Sequence, residues 1–397
     1  MNNGKPCVLI GVGGGIAAYK ICTLVSHLTQ AGVEVHVLMT KEAQQFVTPL
    51  TFQTLSHQRV ITDMFSVDYE PKVEHISLAK MADLFVLAPA TANLISKAAN
   101  GIADDMLTTT FLACQARKLV VPAMNTGMLE NPVTQHNLQL LKGYGITVME
   151  SGKGMLACGD TGSGRLPEPE EIQDYVEELL TPKTLAGRKI LITAGPTQEA
   201  IDPVRYITNH STGTMGYELA RAARNAGAEV TLVSGPVHQK ALRAVHMIPV
   251  VTAQDMAQAV LAKAGEMDAL IFAAAVADFT PISSASDKIH KKDCEGMCLE
   301  LKRTIDILKT VGEKKGKNQT LIGFSMETKD LIANSEEKLI SKNCDYIVAN
   351  NLREAGAGFG TGTNHVQILS RSGSVDPGLL SKADTARKIL EYCLGGK

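Results

Sequence analysis

Short apolar runs alternate with amphipathic stretches along the chain, and this alternation predicts repeated β-α-β units. Both halves open alike, because residues 5–10 and residues 188–192 are apolar strand patterns that lead into glycine and then into a helical pattern. A second strand pattern follows at residues 31–38 and 226–233. Strand, helix and parallel strand in this order build open α/β sheets. The sequence therefore predicts an α/β protein with two Rossmann-like parallel-sheet domains.

Further runs of strand length are apolar at nearly every position, and not only at every second one. This pattern is typical of strands that helices cover on both faces of a sheet. The runs lie at residues 84–88, 119–122, 269–273, 320–324 and 346–349. A proline-containing stretch and a helical segment then run to Pro182 and Gly187, a typical connection between domains. We therefore place the boundary near residue 185 and expect domains at residues 1–185 and 186–397.

Composition limits the classes of function. A chain of 397 residues is longer than a domain with a single hydrophobic core usually is, which predicts two domains. A net charge of −2 gives no long-range electrostatic attraction for nucleic acid. We find no apolar run of the roughly 18 residues that span a bilayer, and no signal-peptide pattern, so we expect a cytoplasmic protein without a membrane partner. The eight cysteines form no CxxC pair, which argues against a zinc site or a disulfide framework.

Residues 195–213 carry the clearest chemical signal in the second half. This stretch follows a strand pattern, precedes a helical pattern, and combines glycines and hydroxyl groups with Pro203, Arg205 and Asn209. Small residues at such a junction let backbone N–H groups approach an anion at the positive end of the next helix. The stretch predicts a phosphate-binding loop; the alternative is a tight turn with incidental glycines.

The glycines at residues 11–15, including Gly14 and Gly15, form the equivalent junction in the first half. A dinucleotide site would have an acidic residue at the end of the second strand, where this chain has Thr40. FMN therefore fits better than NAD. Residues 88–93, with Ala88, Thr91 and Asn93, follow another strand and can face a flavin or a phosphate; the alternative is an ordinary N-cap.

Three further residues of the first half are candidates for catalysis. Asn125 follows a strand and can hydrogen-bond a carboxylate, and His75 is either a base or a structural histidine. Cys158 lies in the glycine-rich residues 154–169, which suit a mobile flap over a ligand or, alternatively, a linker. An ordinary thiol, with a pKa of about 8.5, is mostly protonated at neutral pH and can donate a proton.

In the second half, Asp278 ends a strand pattern and the basic residues 288–292 follow it. A carboxylate beside lysines suits a nucleotide, with the cations neutralising a triphosphate, while the alternative is a solvated loop. Lys338 and Lys342 are one helical turn apart, so one face can present both cations to phosphate.

Taken in order, these motifs resemble the flavin-dependent phosphopantothenoylcysteine decarboxylases and then phosphopantothenate-cysteine ligase, together the CoaBC (Dfp) family. The resemblance implies a flavodoxin-like flavoprotein domain followed by a nucleotide-binding ligase domain. It implies ligation of 4'-phosphopantothenate with cysteine by way of an acyl-cytidylate, then decarboxylation to 4'-phosphopantetheine. FMN, Mg2+ and CTP are implied, as is a homo-oligomer, a dodecamer in the family. The choice between CTP and ATP stays open, and the sequence indicates no metal ligands.

The resemblance also implies roles for single residues. His75 would be the base, Asn125 would orient the substrate carboxylate, and Cys158 would donate the proton. Asn209 would hold the acyl-cytidylate and Lys288 would act on the triphosphate. The implied FMN residues are Gly14, Gly15, Thr40, Ala88, Thr91 and Asn93. The implied nucleotide residues are Ala273, Ala274, Ala275, Asp278, Lys288, Thr304, Ile305, Asp306, Ile307, Phe324, Lys338 and Lys342.

Two departures from the family pattern stand out. Met128 is followed by Leu129 where the family has Trp, and Thr304-Ile305 stands where the family has Asn-Pro. Two other functions are open on the sequence. One is a flavin-bearing binding protein without activity, and the other is an NAD-dependent reductase.

Overall fold

The computed structural model describes residues 4–65, 74–157, 159–290, 296–327, 330–351 and 362–395. The chain divides into two compact units, Met1–Thr181 and Pro182–Lys397. Across the described ranges we find no helix long and apolar enough to cross a membrane.

The first unit is built on a five-stranded parallel sheet with the order β2-β1-β3-β4-β5. This is the flavodoxin-like order, in which the chain reverses direction across the sheet between β1 and β3. The strands are β1 Cys7–Val12, β2 Glu34–Met39, β3 Leu84–Ala90, β4 Arg117–Pro122 and β5 Thr147–Val148.

Helices cover both faces of this sheet, which is why β1 and β3 are buried at every position. Val8 and Ile10 pack into one hydrophobic cluster, and the alternate Leu9 packs into the other. The helices are α1 Ala18–Gln30, α2 Pro49–Ser56, α3 Glu74–Met81, α4 Ala92–Asn100, α5 Met106–Ala113, α6 Thr126–Glu130, α7 Pro132–Gly143 and α8 Pro169–Leu180. A hairpin of β6 Gly152–Met155 and β7 Thr161–Arg165 precedes α8.

The second unit has a larger mixed sheet with the order β12-β11-β8-β13-β16-β17-β18-β19, and β20 also pairs with β18. The six strands β12, β11, β8, β13, β16 and β17 are parallel and follow the Rossmann order. The strands β18, β19 and β20 add an antiparallel extension. The sheet strands are β8 Lys189–Ala194, β11 Glu229–Ser234, β12 His246–Pro249, β13 Ala269–Phe272, β16 Thr320–Glu327, β17 Tyr346–Asn351, β18 Thr363–Ser370, β19 Gly373–Val375 and β20 Leu379–Ser381.

The helices of the second unit again cover both faces. They are α9 Thr214–Asn225, α10 Ala253–Lys263, α11 Ile307–Lys314, α12 Leu331–Ser341 and α13 Lys382–Leu394. Residues of α9 and α13 share one hydrophobic cluster, and residues of α10, α11 and α12 share the other. Two short ladders lie beside the sheet, formed by β9 Glu199–Ala200 with β10 Tyr206–Ile207 and by β14 Phe279–Pro281 with β15 Leu301–Arg303.

The start of α9 lies very close to the end of β8. A Cβ atom on Gly216 would lie 2.5 Å from the Cβ of Ala194 and 3.1 Å from the carbonyl oxygen of Thr193. Gly213 starts the helix in the left-handed conformation with φ 74°. Glycine at these two positions therefore sets how closely the first turn of α9 approaches the carboxyl edge of the sheet.

Asp202 joins two loops of the second unit. Its buried carboxylate accepts hydrogen bonds from the backbone N–H groups of Val204 (2.8 Å), Arg205 (2.7 Å) and Ile289 (3.2 Å). Burial by itself raises the pKa of this carboxyl, but the three N–H groups and the Arg205 guanidinium hold the pKa below its usual value. The loop before β10 is thereby tied to residue 289.

Gly216→Ala should lower the free energy of unfolding by about 1–3 kcal/mol, because the added methyl group overpacks the contact between α9 and β8. Gly265→Ala is the control, since a Cβ there meets nothing within 4 Å. Urea unfolding of both variants measures the difference. Equal stabilities would show that the approach of α9 to β8 tolerates a side chain.

Asp202→Asn should lower the melting temperature by several degrees at pH 7. Because the folded pKa of Asp202 is depressed, its stabilisation is full above the unfolded pKa of about 3.9 and disappears as pH falls through the folded pKa. Thermal unfolding of native chain and variant at pH 7 and at pH 3 checks this, with the exposed Asp287→Asn as control. A melting difference that is the same at both pH values would contradict the assignment.

Candidate active sites

The first site lies where the chain of the first unit reverses across its sheet, between the carboxyl ends of β1 and β3. The N–H group of Gly13 donates to the carbonyl oxygen of Pro89 at 3.2 Å. A Cβ on Gly13 would lie 2.4 Å from that oxygen, and a Cβ on Gly14 would lie 2.3 Å from the Cβ of Glu42. Only glycine fits this turn, which leaves backbone rather than side chains facing the edge of the sheet.

The other residues predicted to hold the flavin lie at the same edge. Thr40 follows β2 and is buried, with its hydroxyl oxygen accepting from the Ala43 N–H group at 3.1 Å. Thr91 caps α4, accepting from the Leu94 N–H group at 3.3 Å. Ala88 is buried in β3, and Asn93 is exposed in the first turn of α4. Thr40 and Thr91 are therefore partly engaged in local capping.

His75 lies in the first turn of α3, and its Nδ1 atom is buried without a hydrogen-bond partner among the described residues. An imidazole nitrogen that is buried without a partner costs free energy unless a ligand or water satisfies it. This observation favours a functional role for His75 over a structural one.

Asn125 lies after β4 at the start of α6, and its Oδ1 atom accepts from the Gly127 N–H group at 2.8 Å. The β6–β7 hairpin folds against this segment, since the Met124 N–H group donates to the Gly164 carbonyl oxygen at 2.9 Å. A Cβ on Gly162 would lie 2.3 Å from Thr126 Oγ1, and a Cβ on Gly164 would lie 2.1 Å from the Met124 carbonyl oxygen. The glycines predicted to make a flap thus allow it to dock beside Asn125.

Cys158 itself lies outside the described residues. The residues on either side of it form the tip of the hairpin, where the Leu156 N–H group donates to the Asp160 carbonyl oxygen at 2.8 Å. The role of Cys158 as proton donor stays a prediction.

The second site is a cavity of about 670 Å³ at the carboxyl edge of the larger sheet. Its wall brings together most of the predicted nucleotide residues. These are Ala273, Ala274, Ala275, Asp278, Thr304, Ile305, Asp306, Ile307, Phe324, Lys338 and Lys342. Residues 211–216, at the start of α9, line it as well.

Hydroxyl groups hold the strand-end loop of this cavity in place. Thr193 and Thr197 accept through Oγ1 from the N–H groups of Ala274 (3.2 Å) and Ala277 (3.0 Å). Thr304 then donates its hydroxyl to the Ala277 carbonyl oxygen at 2.6 Å. The chain around residues 274–277 is therefore fixed from both sides.

Two lysines of the predicted set lie at the α11 and α12 end of the cavity. Lys338 contacts Ser325 Oγ at 3.3 Å, and Lys342 pairs with Asp306. Partial burial raises the pKa of Asp306, but the hydrogen bonds from Lys342 and from the Lys309 N–H group more than offset this and lower it.

Asn209 and Lys288 are not among the described residues that line the cavity. The amide of Asn209 donates to the Ala275 carbonyl oxygen at 2.7 Å, and its Oδ1 atom accepts from the Ser211 N–H group at 3.0 Å. Lys288 is exposed, next to the Ile289 that Asp202 holds. Their proposed roles stay predictions, and the geometry makes Asn209 a brace between two loops of the site.

The sequence analysis missed the part of the wall formed by Met215, Asn350, Asn364 and Lys382. These residues come from α9, β17, β18 and α13 and lie outside the motifs that the sequence analysis used. Their one sequence signal is a polar residue at the end of an otherwise apolar strand, as at Asn350. Within the described ranges, no three His, Cys, Asp or Glu residues cluster as metal ligands.

Comparisons with known proteins cover both units. The family profile described as Flavoprotein matches residues 1–181, and that of the DNA/pantothenate metabolism flavoprotein C-terminal domain matches residues 185–395. The coenzyme A biosynthesis bifunctional protein CoaBC of Bacillus subtilis (strain 168) is 50% identical over 389 residues, which cover 97% of this chain and 95% of the relative.

A cysteine/cysteine sulfinic acid decarboxylase from an unknown prokaryotic organism is 44% identical over 355 residues, 87% of this chain and 99% of that protein. The crystal structure of the C-terminal domain of a CoaBC protein matches with a TM-score of 0.45 and 42% identity, covering 53% of this chain and 95% of that one. The two family profiles and the Bacillus subtilis relative show that the chain belongs to the CoaBC family of bifunctional coenzyme A biosynthesis enzymes, with a flavoprotein decarboxylase half followed by a ligase half.

Proposed function

We propose that the first unit binds FMN and that the second binds CTP with Mg2+. The two sites then act in succession on 4'-phosphopantothenate and cysteine to give 4'-phosphopantetheine. The observation that carries this proposal is the cavity in the second unit, which eleven of the twelve predicted nucleotide residues line.

The residues of the first site fit a flavin. The turn at Gly13 and Gly14 has no space for side chains, so backbone faces the position where flavodoxin-like sheets bind FMN. The buried Nδ1 atom of His75 lacks a partner among the described residues, as expected for a group that a ligand satisfies. Gly14, Gly15, Thr40, Ala88, Thr91 and Asn93 would hold the flavin.

When bound, FMN supplies a reversible two-electron acceptor, which loss of CO2 from an unactivated cysteine carboxylate requires. Asn125 would hold the leaving carboxylate in place, and His75 would accept the first proton. Cys158 would return a proton to the product carbon. Closure of the hairpin would exclude water from this exchange.

The second cavity suits activation of a carboxylate by a nucleotide. The first turn of α9 lines the cavity with the partially positive end of the helix, which favours phosphate, and Lys338 and Lys342 line the cavity as well. The pantothenate carboxylate would attack the α-phosphorus of CTP and release pyrophosphate, and the cysteine amine would then displace CMP. Asn209 would keep the loop at Ala275 closed over the mixed anhydride.

We also propose that the enzyme is a cytoplasmic homo-oligomer, and a dodecamer by resemblance to the family. Metal ligands would come mainly from the triphosphate, since Mg2+ usually binds through phosphates and water. The direct test is equilibrium binding to the full chain. FMN should bind and give a flavin spectrum, and CTP should bind with Mg2+ more tightly than ATP.

Cys158→Ser should lower the steady-state rate of 4'-phosphopantetheine formation from phosphopantothenoylcysteine about a hundredfold or more, because the product carbon needs an acid and the hydroxyl is a much weaker acid than the thiol. Pyrophosphate release in ligation should be unchanged, because it belongs to the other unit. Coupled assays of both products measure this, with the exposed Cys298→Ser as control. Loss of both activities together would contradict the division of labour.

Lys338→Met should raise the KM for CTP about tenfold, the usual effect of losing one charge-assisted contact. The chemistry of decarboxylation should not change. Initial rates of ligation against CTP concentration measure the KM, and the exposed Lys317→Met is the matched control. An unchanged KM would place the nucleotide away from α12.

A further inference from the structure

One lobe of the ligase cavity is lined by polar side chains to which the nucleotide assignment gives no role. Asn350, Asn364 and Lys382 are 6%, 3% and 7% exposed, and all three line the cavity. Polar groups buried to this degree normally have hydrogen-bond partners. We call these three residues the amide lobe.

Strand register places the two asparagines side by side. Asn350 of β17 pairs with Val366 of β18, and Asn364 lies two residues before Val366. Both side chains therefore project from the same face of the sheet as diagonal neighbours, about 7 Å apart at Cβ. Val366 packs in the hydrophobic cluster that also holds residues of α9 and α13, so the two asparagines lie on the face of the sheet that these helices cover.

The side-chain Oδ1 oxygens of Asn350 and Asn364 are buried hydrogen-bond acceptors without a donor among the described residues. Asn364 turns its Nδ2 atom toward the Met215 sulfur at 3.8 Å, and this contact orients its Oδ1 atom away from Met215. A ligand that satisfies both oxygens must carry N–H or O–H donors.

Lys382 supplies a cation to the same lobe. It is the first residue of α13, and burial lowers the pKa of its ammonium group. The side chain of Lys382 lines the cavity, so its ammonium group can stabilise an anionic group on a ligand.

The amide lobe is separate from Lys338, one of the two cavity lysines assigned to the nucleotide. Along β16, Phe324 and Met326 alternate with Ser325, so they project from the opposite face to the one where Ser325 contacts Lys338. Met326 pairs with Asn350 in the register of β16 and β17. The amide lobe thus has an apolar side, formed by Met215, Phe324 and Met326.

Two acceptors, one cation and an apolar wall match an α-amino acid with a small apolar side chain. A polyphosphate would offer only acceptors to the two amide oxygens. Resting on the proposed function, we infer that the amide lobe is the cysteine subsite. Asn350 and Asn364 accept from the amine, Lys382 pairs with the carboxylate, and the thiol lies against the methionines and Phe324.

In this position the amine attacks as a neutral nucleophile. Its lone pair forms the C–N bond to the acyl carbon, and the C–O bond to CMP breaks with its electron pair leaving on the phosphate. The proton lost from nitrogen passes to the departing CMP. The positive charge of Lys382 favours the neutral amine, and the two amide oxygens orient its N–H bonds away from the acyl carbon.

The test separates the two half-reactions in the full-length enzyme. Exchange of labelled pyrophosphate into CTP, with 4'-phosphopantothenate and without cysteine, reports the first half-reaction, and the KM for cysteine in ligation reports the second. Lys382→Met, Asn350→Ala and Asn364→Ala should each raise the KM for cysteine about tenfold or more, with exchange within about twofold of native. Lys388→Met, exposed on the same helix, is the control and should change neither.

Exchange lost at an unchanged KM for cysteine would overturn the inference and assign the amide lobe to pyrophosphate. Unchanged values for all three variants would overturn it as well. If Lys382→Met fails to fold by circular dichroism, the two asparagine variants decide the question. A native enzyme without exchange would instead refute the proposed function, and the inference with it.

Discussion

Close approach of the backbone at the carboxyl ends of the strands is the constraint on which both sites depend. In the second unit, Gly216 leaves no room for a side chain between α9 and Ala194. In the first unit, the turn at Gly13 and Gly14 passes against Pro89 of β3 and against Glu42, which follows β2. Backbone therefore lines the carboxyl edge of each sheet, where anionic ligands can be stabilised without a large net charge on the protein.

From this shared arrangement the two units build different environments. The first unit places the Asn125 segment under a glycine-rich hairpin, with His75 presenting a buried nitrogen. Such a site suits proton transfers under a closing flap. The second unit opens a cavity of about 670 Å³ lined both by Lys338 and Lys342 and by the amides of Asn350 and Asn364. A cavity of this size can hold a nucleotide and an acceptor together, as acyl transfer through a mixed anhydride requires.

Much of this could be predicted from the sequence, because parallel β-α-β units have a strong local pattern. The runs at residues 84–88 and 269–273 became β3 Leu84–Ala90 and β13 Ala269–Phe272, and all the predicted nucleotide residues except Lys288 line the cavity. The antiparallel strands β18 to β20 escaped prediction, and with them the amide lobe. Asn364 and Lys382 lie far from the motifs along the chain, and only the register of β17 with β18 brings Asn364 beside Asn350.

The central claim is that each sheet holds its own ligand at its own carboxyl edge. An experimental structure of the full chain with FMN, CTP and Mg2+ tests it most directly. We expect the flavin beside the Gly13 turn and β3, and the nucleotide between the first turn of α9 and Lys338. Finding either ligand away from these edges, or CTP outside the cavity of the second unit, would contradict the account.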